Sequence, residues 1–435
     1  MKRTAIIGLG ITGLSCLEYL HGEDELVVLD TRADPPHAGV VGDYPDVAFS
    51  FGVESYDFAG VERVIVSPGV DLDSCLVGSA RKAGAELVSD IDLFCEAADA
   101  PITAITGTNG KSTVTALVGH LLRETGGKPG VGGNLGEPAL SLLDEDCDSY
   151  VLELSSFQLE RLRPWRFRAA SILNVTEDHL DRHHSLAEYA ASKQRIYRDC
   201  GRAVANRADP LTFPQHDVDE LVTFSSDAPG EDDWGIRNGM LGRGDRGLLP
   251  VQALPLTGRH NALNVLAACA LAWRAGANLE TLAGAAKSFR GLPHRCQLVA
   301  EAGGVRYVND SKATNVGATI AALQGLGGSS AGSLILIAGG DGKGADFTAL
   351  RDPVARYVKA VVLLGADANA IATALGDVAD LVRVDTIEAA VVAARDASCP
   401  GDLVLLSPAC ASLDMFENFA DRGDRYAAAV LEFAA

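Results

Sequence analysis

Short apolar runs that end at glycine or a polar residue, each followed by a stretch with helical spacing, recur along most of the chain. TAIIGLG (4–10) and LVVLD (26–30) read as buried strands around a helical segment, and VERVIVSPG (61–69) repeats the strand-then-glycine ending. Such runs predict an open parallel α/β sheet, because a strand covered by helices on both faces is apolar throughout instead of alternating. A second register begins after DIDLFCEAADAP (90–101): ITAIT (102–106) reads as a strand, a loop follows, and 111–124 carry helical spacing. YVLELSS (150–156) and AASILNVTEDH (169–179) are further strands that end at polar residues. The C-terminal edge of parallel strands is where such sheets keep ligands.

Ser185-x-x-Glu188 is a capping box and predicts a helix from 186 to about 199. Residues 207–257, richer in Gly, Pro and Asp, predict loops and small strands at the rim, and GLPHR (291–295) closes this unit. GVRYVND (304–310), SLILIAGGDGKG (333–344), AVVLLGAD (360–367) and DLVLLSPAC (402–410) form another alternating set, within which GLGGSSAGS (325–333) is expected to be a flexible connector. The expected fold class is therefore α/β with three domains: a Rossmann-like N-terminal domain (1–92), a central P-loop ATPase-type parallel-sheet domain (93–291) and a C-terminal Rossmann-like α/β domain (292–435). At roughly 100–200 residues per domain, the 435-residue length agrees.

Composition narrows the partners. A net charge of −21 repels phosphate backbones and anionic lipid, so neither nucleic acid nor a membrane surface is an expected partner. With 47% apolar and 22% charged residues the chain is expected to be globular and soluble. Nine cysteines without a CxxC pair suit reduced thiols in a cytoplasmic protein. In MKRTAIIGLG, Gly8 and Gly10, with Gly13 beyond, interrupt the apolar run that a signal peptide would continue, and no run approaches the roughly 18 residues of a membrane span.

Two glycine motifs carry chemistry. The loop GTNGKST (107–113) supplies the Gly110-Lys111-Ser112 half of a phosphate-binding loop, with Ile105 in the place of its first glycine. Backbone amides of a tight turn, a helix N-terminus, the Lys111 charge and a Ser112 hydroxyl within reach of Mg²⁺ together suit a triphosphate. Gly8-x-Gly10-x-x-Gly13 follows a strand, opens a helix and is succeeded by Asp30, which meets the dinucleotide fingerprint. An NAD-dependent oxidoreductase is one reading of it; another nucleotide diphosphate is the other, since the glycines recognise pyrophosphate and not nicotinamide. A noncatalytic nucleotide binder is a third reading of the chain as a whole. Glu153 and the 174–179 segment bring carboxylates and an imidazole to strand ends, where oxygen donors with one histidine suit Mg²⁺ bridging phosphates. His179 and His183 are four apart, yet no glutamate fills an HExxH position, so zinc is not expected; His183 and His184 read as surface histidines, and Glu177 and Asp181 read equally as part of the oxygen-donor set or as a solvated turn.

The motifs SPGV (67–70), GTNGKST (107–113), GNLG (133–136), LELSSFQL (152–159), LNVTEDHLDRH (173–183), SKQRIY (192–197), GRHNALNVLAA (258–268), GLPHR (291–295), NDSKATN (309–315), GGDGKGADF (339–347) and SPACASLDMFENFADRGDRY (407–426) resemble those of the cytoplasmic Mur ligases over nearly the whole chain. That resemblance implies ATP-driven amide formation through an acyl phosphate, with UDP-N-acetylmuramoyl-L-alanine supplying the carboxylate and D-glutamate the amine; the L-alanine-adding member is the alternative within the family. It implies ATP and Mg²⁺ as cofactors. Gly107, Thr108, Asn109, Gly110, Lys111, Ser112 and Thr113, with Asn261, Asn264, Arg295 and Asp310, would bind ATP. Ser112, Glu153, His179 and Lys193, the last as a carbamate, would hold the metal, and Lys111, Asn134, Glu153, His179 and Lys193 would be the catalytic set. Ile11, Thr12, Asp30, Thr31, Arg32, Ser67, Pro68 and Gly69, with Asn134 and His179, would take the UDP substrate. Lys312, Thr314, Lys343, Ser412, Leu413 and Phe419 would take D-glutamate. This reading requires no oligomer, so a monomer is expected, and because the substrates span domains the third domain is expected to close about a hinge at 292–295.

Overall fold

The apolar runs fold as the strands of three sheets in a computed structural model, which describes every residue except Met1, Glu145, 255–257, 274–277, 328–331 and Ala435, and leaves the side chains of Asp144, Leu180 and Asp181 outside the description. The first sheet is wholly parallel, in the order Ala48–Phe51, Glu25–Asp30, Arg3–Ile7, Arg63–Val66, Glu86–Val88. Its central strand pairs Ile6 with Val28 on one side and with Ile65 on the other. The second sheet has nine strands, with Ile102–Thr106 between Phe167–Ile172 and Ser149–Glu153, and Pro129–Gly133 at one edge. The third runs Gln297–Ala302, Val305–Asn309, Leu403–Leu406, Leu334–Gly339, Val358–Leu364, Asp380–Arg383, parallel except for its first pair.

The chain packs as two units. One comprises Met1–Arg237, Gly242–Leu248 and Val265–Ala285; the other Asn238–Leu241, Leu249–Asn264 and Ala286–Ala435. The first unit contains two sheets because they share an apolar cluster: Ile6, Leu17 and Ile65 belong to the same core as Phe94, Ala104, Leu142 and Leu152. Phe94, on the helix Asp90–Ala97, meets Tyr150 edge to face at 5.0 Å. That helix is fixed at its start by a reciprocal capping box between Ser89 and Asp92, which satisfies two of the helix's otherwise unpaired amides.

Local sequence explains most boundaries. Helix Lys111–Glu124 begins at Gly110, whose φ of 84° lies in the left-handed region that glycine adopts without steric cost. The helix opened by Ser185 is Leu186–Gln194, followed by a 3₁₀ turn at Arg195–Tyr197, so it ends before 199. The tighter turn drops Tyr197 into the core, where its hydroxyl accepts from the Ile172 amide at 2.9 Å and lies 3.2 Å from the Thr212 carbonyl. Within 207–257 the strands Glu220–Phe224, Trp234–Arg237, Met240–Arg243 and Arg246–Pro250 extend the central sheet; 255–257 lie outside the described residues.

The expected connector at 325–333 is not wholly a connector. Residues 325–327 close the helix Val316–Gly327, and 328–331 lie outside the described residues. Here glycine serves close packing: a Cβ on Gly327 would stand 2.4 Å from the Tyr357 ring, and one on Gly325 would stand 2.5 Å from His260 Nδ1. Among the described residues, no helix is long and apolar enough to cross a membrane.

In the first glycine motif, a Cβ on Gly13 would lie 1.9 Å from the Gly8 carbonyl oxygen. Gly13→Ala is therefore expected to cost about 2–3 kcal/mol of stability, read as a lowered midpoint in urea unfolding of the first unit.

Candidate active site

In the first unit, the strand Ile102–Thr106 delivers the loop 107–110 to the sheet's C-terminal edge, and Lys111 starts the following helix. The neighbouring strand end braces the loop. Asn174 accepts from the Asn109 amide through Oδ1 at 2.8 Å and donates to the Asn109 carbonyl through Nδ2 at 3.0 Å. Its own carbonyl accepts from the Thr108 amide at 2.9 Å. The Thr108 hydroxyl in turn accepts from the Thr176 amide at 3.0 Å. A helix N-terminus held against such a braced turn is a ready anion seat.

Lys111 Nζ donates to the carbonyls of Gly107 at 3.0 Å and Thr108 at 2.8 Å. Lys193, 1% exposed, donates to the same Gly107 carbonyl at 3.0 Å and sits 4.2 Å from the centre of the Tyr189 ring. Burial, and then the neighbouring Lys111 charge, push the Lys193 ammonium well below its ordinary pKa, against the opposing pull of Asp178 and Glu153. Loss of the ammonium proton leaves a nucleophilic amine, the form that attacks carbon dioxide and, releasing a further proton, gives a carbamate.

Glu153 ends the adjacent strand and is 2% exposed. Its Oε1 accepts from Asn134 Nδ2 at 2.8 Å, its carbonyl accepts from the Asn134 amide at 2.8 Å, and its buried Oε2 has no hydrogen-bond partner among the described residues. Such an orphaned carboxylate oxygen is costly unless something cationic meets it. Among the described residues, no group of three or more His, Cys, Asp or Glu side chains is arranged to hold a metal. Mg²⁺ characteristically takes one or two carboxylates and completes its shell with phosphate oxygens and water, so a single orphaned carboxylate beside a phosphate loop suits it. His179 has a left-handed backbone (φ 53°), a half-exposed ring and an edge-on contact with Phe157 at 5.0 Å. His183, expected at the surface, is buried: it stacks on Phe157 and its Nε2 lies 3.0 Å from Ser156 Oγ. His184 is exposed as expected, and Glu177 is exposed too.

At the N-terminal motif, Asp30 ends its strand and is 2% exposed. Its oxygens accept from the Leu9 amide at 2.7 Å, the Arg32 amide at 2.9 Å, and the Arg32 guanidinium at 2.9 and 2.7 Å. Burial alone would raise its pKa, but the Arg32 fork and the two amides outweigh that and hold it below the ordinary carboxylate range. The acidic residue of a dinucleotide fingerprint binds ribose hydroxyls; here both oxygens are already engaged within the chain. Ser67 donates to the Gly8 carbonyl at 2.8 Å and so joins the SPG turn to the glycine turn. Ile11 is exposed on the first turn of helix Ile11–Leu20, with Thr12 beside it, and Thr31 is exposed next to Asp30.

The second unit holds the remaining predicted residues. Asn261 and Asn264 share a face of the helix Arg259–Ala272, with Asn264 Nδ2 3.3 Å from Asn261 Oδ1. Asp310 accepts from the Cys296 amide at 3.1 Å and the Ser407 hydroxyl at 2.9 Å; Arg295 is an opposing charge. Lys312 Nζ stands 3.8 Å from the centre of the Phe419 ring. Lys343 is exposed, with a left-handed φ of 52°, and its amide donates to Asp341. Ser412 is buried and Leu413 exposed. Asp341 and Ala411 exchange backbone hydrogen bonds, and Ala409 donates to the Ala313 carbonyl, so the loops of Lys312, Lys343 and Ser412 form one cluster. The cluster turns on Arg422, which no motif in the sequence singles out. It is buried, and donates to Ser311 Oγ and O and to the carbonyls of Cys410 and Ala411. An arginine within a helical segment gives no sequence signal of burial.

A phosphate-type loop on a parallel sheet, with a Rossmann-type sheet before it in the chain and a third α/β sheet after it, defines the class as a multidomain α/β nucleotide-binding protein. Family models match three stretches: the MurD-like N-terminal domain of Mur ligases at residues 2–89, the Mur ligase middle domain at 105–272 and the Mur ligase glutamate ligase domain at 294–410. The chain belongs to the Mur ligase family. It is 46% identical to a UDP-N-acetylmuramoylalanine--D-glutamate ligase of Legionella pneumophila, covering 98% of each chain, and 47% identical to the same-named protein of Pseudomonas aeruginosa, covering 99% of this chain and 98% of the other. Among solved structures it is similar in fold to UDP-N-acetylmuramate-alanine ligase MurC from Thermotoga maritima, with a TM-score of 0.62, 19% identity and coverage of 99% of this chain and 100% of that one.

The buried Asp310 carboxyl is raised from 3.8 to about 6, first by desolvation. It therefore keeps its proton in the folded chain between about pH 4 and 6, where the unfolded chain loses it. Its contribution to stability is full below that window and lost as pH rises through it, by about 3 kcal/mol. The expected observation is a carboxyl ¹³C titration of Asp310 centred near pH 6; a midpoint near 4 would contradict it.

Proposed function

We propose that the chain joins the alanyl carboxylate of UDP-N-acetylmuramoyl-L-alanine to the amine of D-glutamate, driven by ATP, as a step of peptidoglycan precursor synthesis. The observation that carries the reading is likeness, over 98% of both chains, to ligases named for this reaction. The braced loop with its two lysines supports it. A carboxylate is a poor electrophile because its leaving group would be oxide. Transfer of the γ-phosphoryl group gives an acyl phosphate, which an amine attacks with loss of phosphate.

In this reading Gly107–Thr113, with Asn261, Asn264, Arg295 and Asp310, bind ATP, and Lys111 leaves its carbonyl partners for the phosphates. Ser112, Glu153, His179 and a carbamate on Lys193 hold Mg²⁺, which would neutralise charge on the transferring phosphoryl group. Glu153 Oε2 then gains its missing partner. Carbamylation converts the second lysine from a cation that opposes Lys111 into an anion that complements it. Asn134 and His179 orient the muramoyl carboxylate. Ile11, Thr12, Thr31, Arg32, Ser67, Pro68 and Gly69 hold the UDP moiety, with Asp30 acting through Arg32. Lys312, Thr314, Lys343 and Ser412 supply the cations and hydroxyls that a dicarboxylate needs, beside Leu413 and Phe419.

Domain limits at 92/93 and 291/292 follow from the same reading, supported by one sheet within each stretch. The segment 292–295 is the hinge, next to the left-handed His294 and Cys296. One copy of the chain in the cytoplasm suffices.

Phosphate release with UDP-N-acetylmuramoyl-L-alanine and ATP should require D-glutamate and not respond to L-alanine with UDP-N-acetylmuramate. Lys111→Ala should lower kcat by at least about 10³-fold, the scale on which loss of a key transition-state donor is felt. Equal turnover with L-alanine would overturn the assignment. Labelling with ¹³CO₂ should give a carbamate resonance that Lys193→Arg removes.

A further inference from the structure

Arg161 belongs to no assigned motif position, yet its side chain is only 6% exposed and is surrounded by backbone oxygens from a distant part of the first unit. Nη1 donates to the carbonyls of Val66 at 3.0 Å and Ser67 at 2.7 Å, and Nη2 to those of Pro68 at 3.3 Å and Val70 at 3.1 Å. Glu160 Oε1 accepts from Arg161 at 2.8 Å and from Arg182 at 2.6 Å, so one carboxylate spans two cations that would otherwise repel. Arg182 lies three residues after His179, reaches Asp71 at 3.3 Å and stands over the Phe157 ring that contacts His179. Nearby, Arg163 pairs with Glu86 and Glu96, and Trp165 Nε1 donates to Asp92 at 2.7 Å, which fixes the segment that carries Arg161.

We infer that Arg161 is a positioning residue for the UDP moiety: by gathering the carbonyls of 66, 67, 68 and 70 it fixes the SPG turn against the His179 segment in the shape that receives a diphosphate. This rests on the assignment of that turn to the UDP substrate. Carbonyl oxygens are the negative ends of their peptides and would repel a diphosphate. In a planar trans peptide the N–H lies opposite the C=O, so drawing the Pro68 carbonyl to the guanidinium turns the Gly69 amide to the other side. The planar fork reaches four acceptors at once, which an ammonium on a flexible stem cannot do. The same turn is tied through Ser67 to Gly8, so its shape sets that of the glycine turn. Arg161 touches neither substrate nor reacting atoms and acts through the turn.

The test uses the full chain and two ligands, UDP and a nonhydrolysable ATP analogue, by calorimetry. Arg161→Gln should weaken UDP at least tenfold and leave the ATP analogue within twofold. Under turnover it should raise KM for the UDP substrate tenfold or more, while kcat and KM for ATP stay within threefold. UDP affinity unchanged within twofold, or equal loss of both ligands, overturns the inference. Should Arg161→Gln fail to fold, Glu160→Gln is read instead, with a threefold or greater loss for UDP alone expected and no change overturning the proposal. Asp30→Asn and Ser67→Ala separate the two layers. If neither alters UDP binding, the turn's assignment fails; if both weaken it while Arg161→Gln does not, only the role of Arg161 fails.

Discussion

Two ammonium groups converge on one carbonyl oxygen, that of Gly107, and the first unit's chemistry depends on how that arrangement is relieved. Lys193 is almost wholly removed from water. Like charges in a desolvated place destabilise each other, so the buried one is driven toward its neutral form. The orphaned Glu153 oxygen a strand away states the complementary need for a cation. In the proposed function, a triphosphate, a metal and a carbamate on Lys193 would answer both demands together.

The N-terminal sheet illustrates how a fold can carry a familiar fingerprint for a different guest. The three glycines are needed for the backbone: Gly8 takes a left-handed conformation and Gly13 lets the helix press onto the Gly8 carbonyl. The acidic residue has been redirected. Asp30 closes on Leu9 and Arg32, so an arginine, and not a carboxylate, faces outward at the strand end, half exposed. A cation there suits an anionic ligand, and the nicotinamide reading loses its ribose anchor.

In the second unit a buried arginine plays the organising part. Arg422 joins Ser311 to the carbonyls of Cys410 and Ala411, and the left-handed Ala409 allows that loop to turn back toward Ala313. Burial lowers its pKa to about 10, still far above neutrality, so it remains a cation, hydrogen-bonded to carbonyl and hydroxyl oxygens. Three loops far apart in sequence are thereby held as one surface bearing Lys312, Lys343 and Ser412.

The sequence by itself determined the alternation of strand and helix, the start of the helix at Lys111, the strand-end placement of Glu153 and the glycine turn at 8–13, because each depends on local periodicity or on one residue's backbone freedom. It also carried the family motifs in order. Only tertiary structure decided that Lys193 meets Lys111, that Asn174 braces Asn109, that His183 is buried, and that Arg161 and Arg422 organise loops they are not near in sequence. Burial of a charge and convergence of carbonyls are properties of packed chains: a lysine or arginine on a helical stretch has the same local pattern whether its far end meets water or a ring of oxygens.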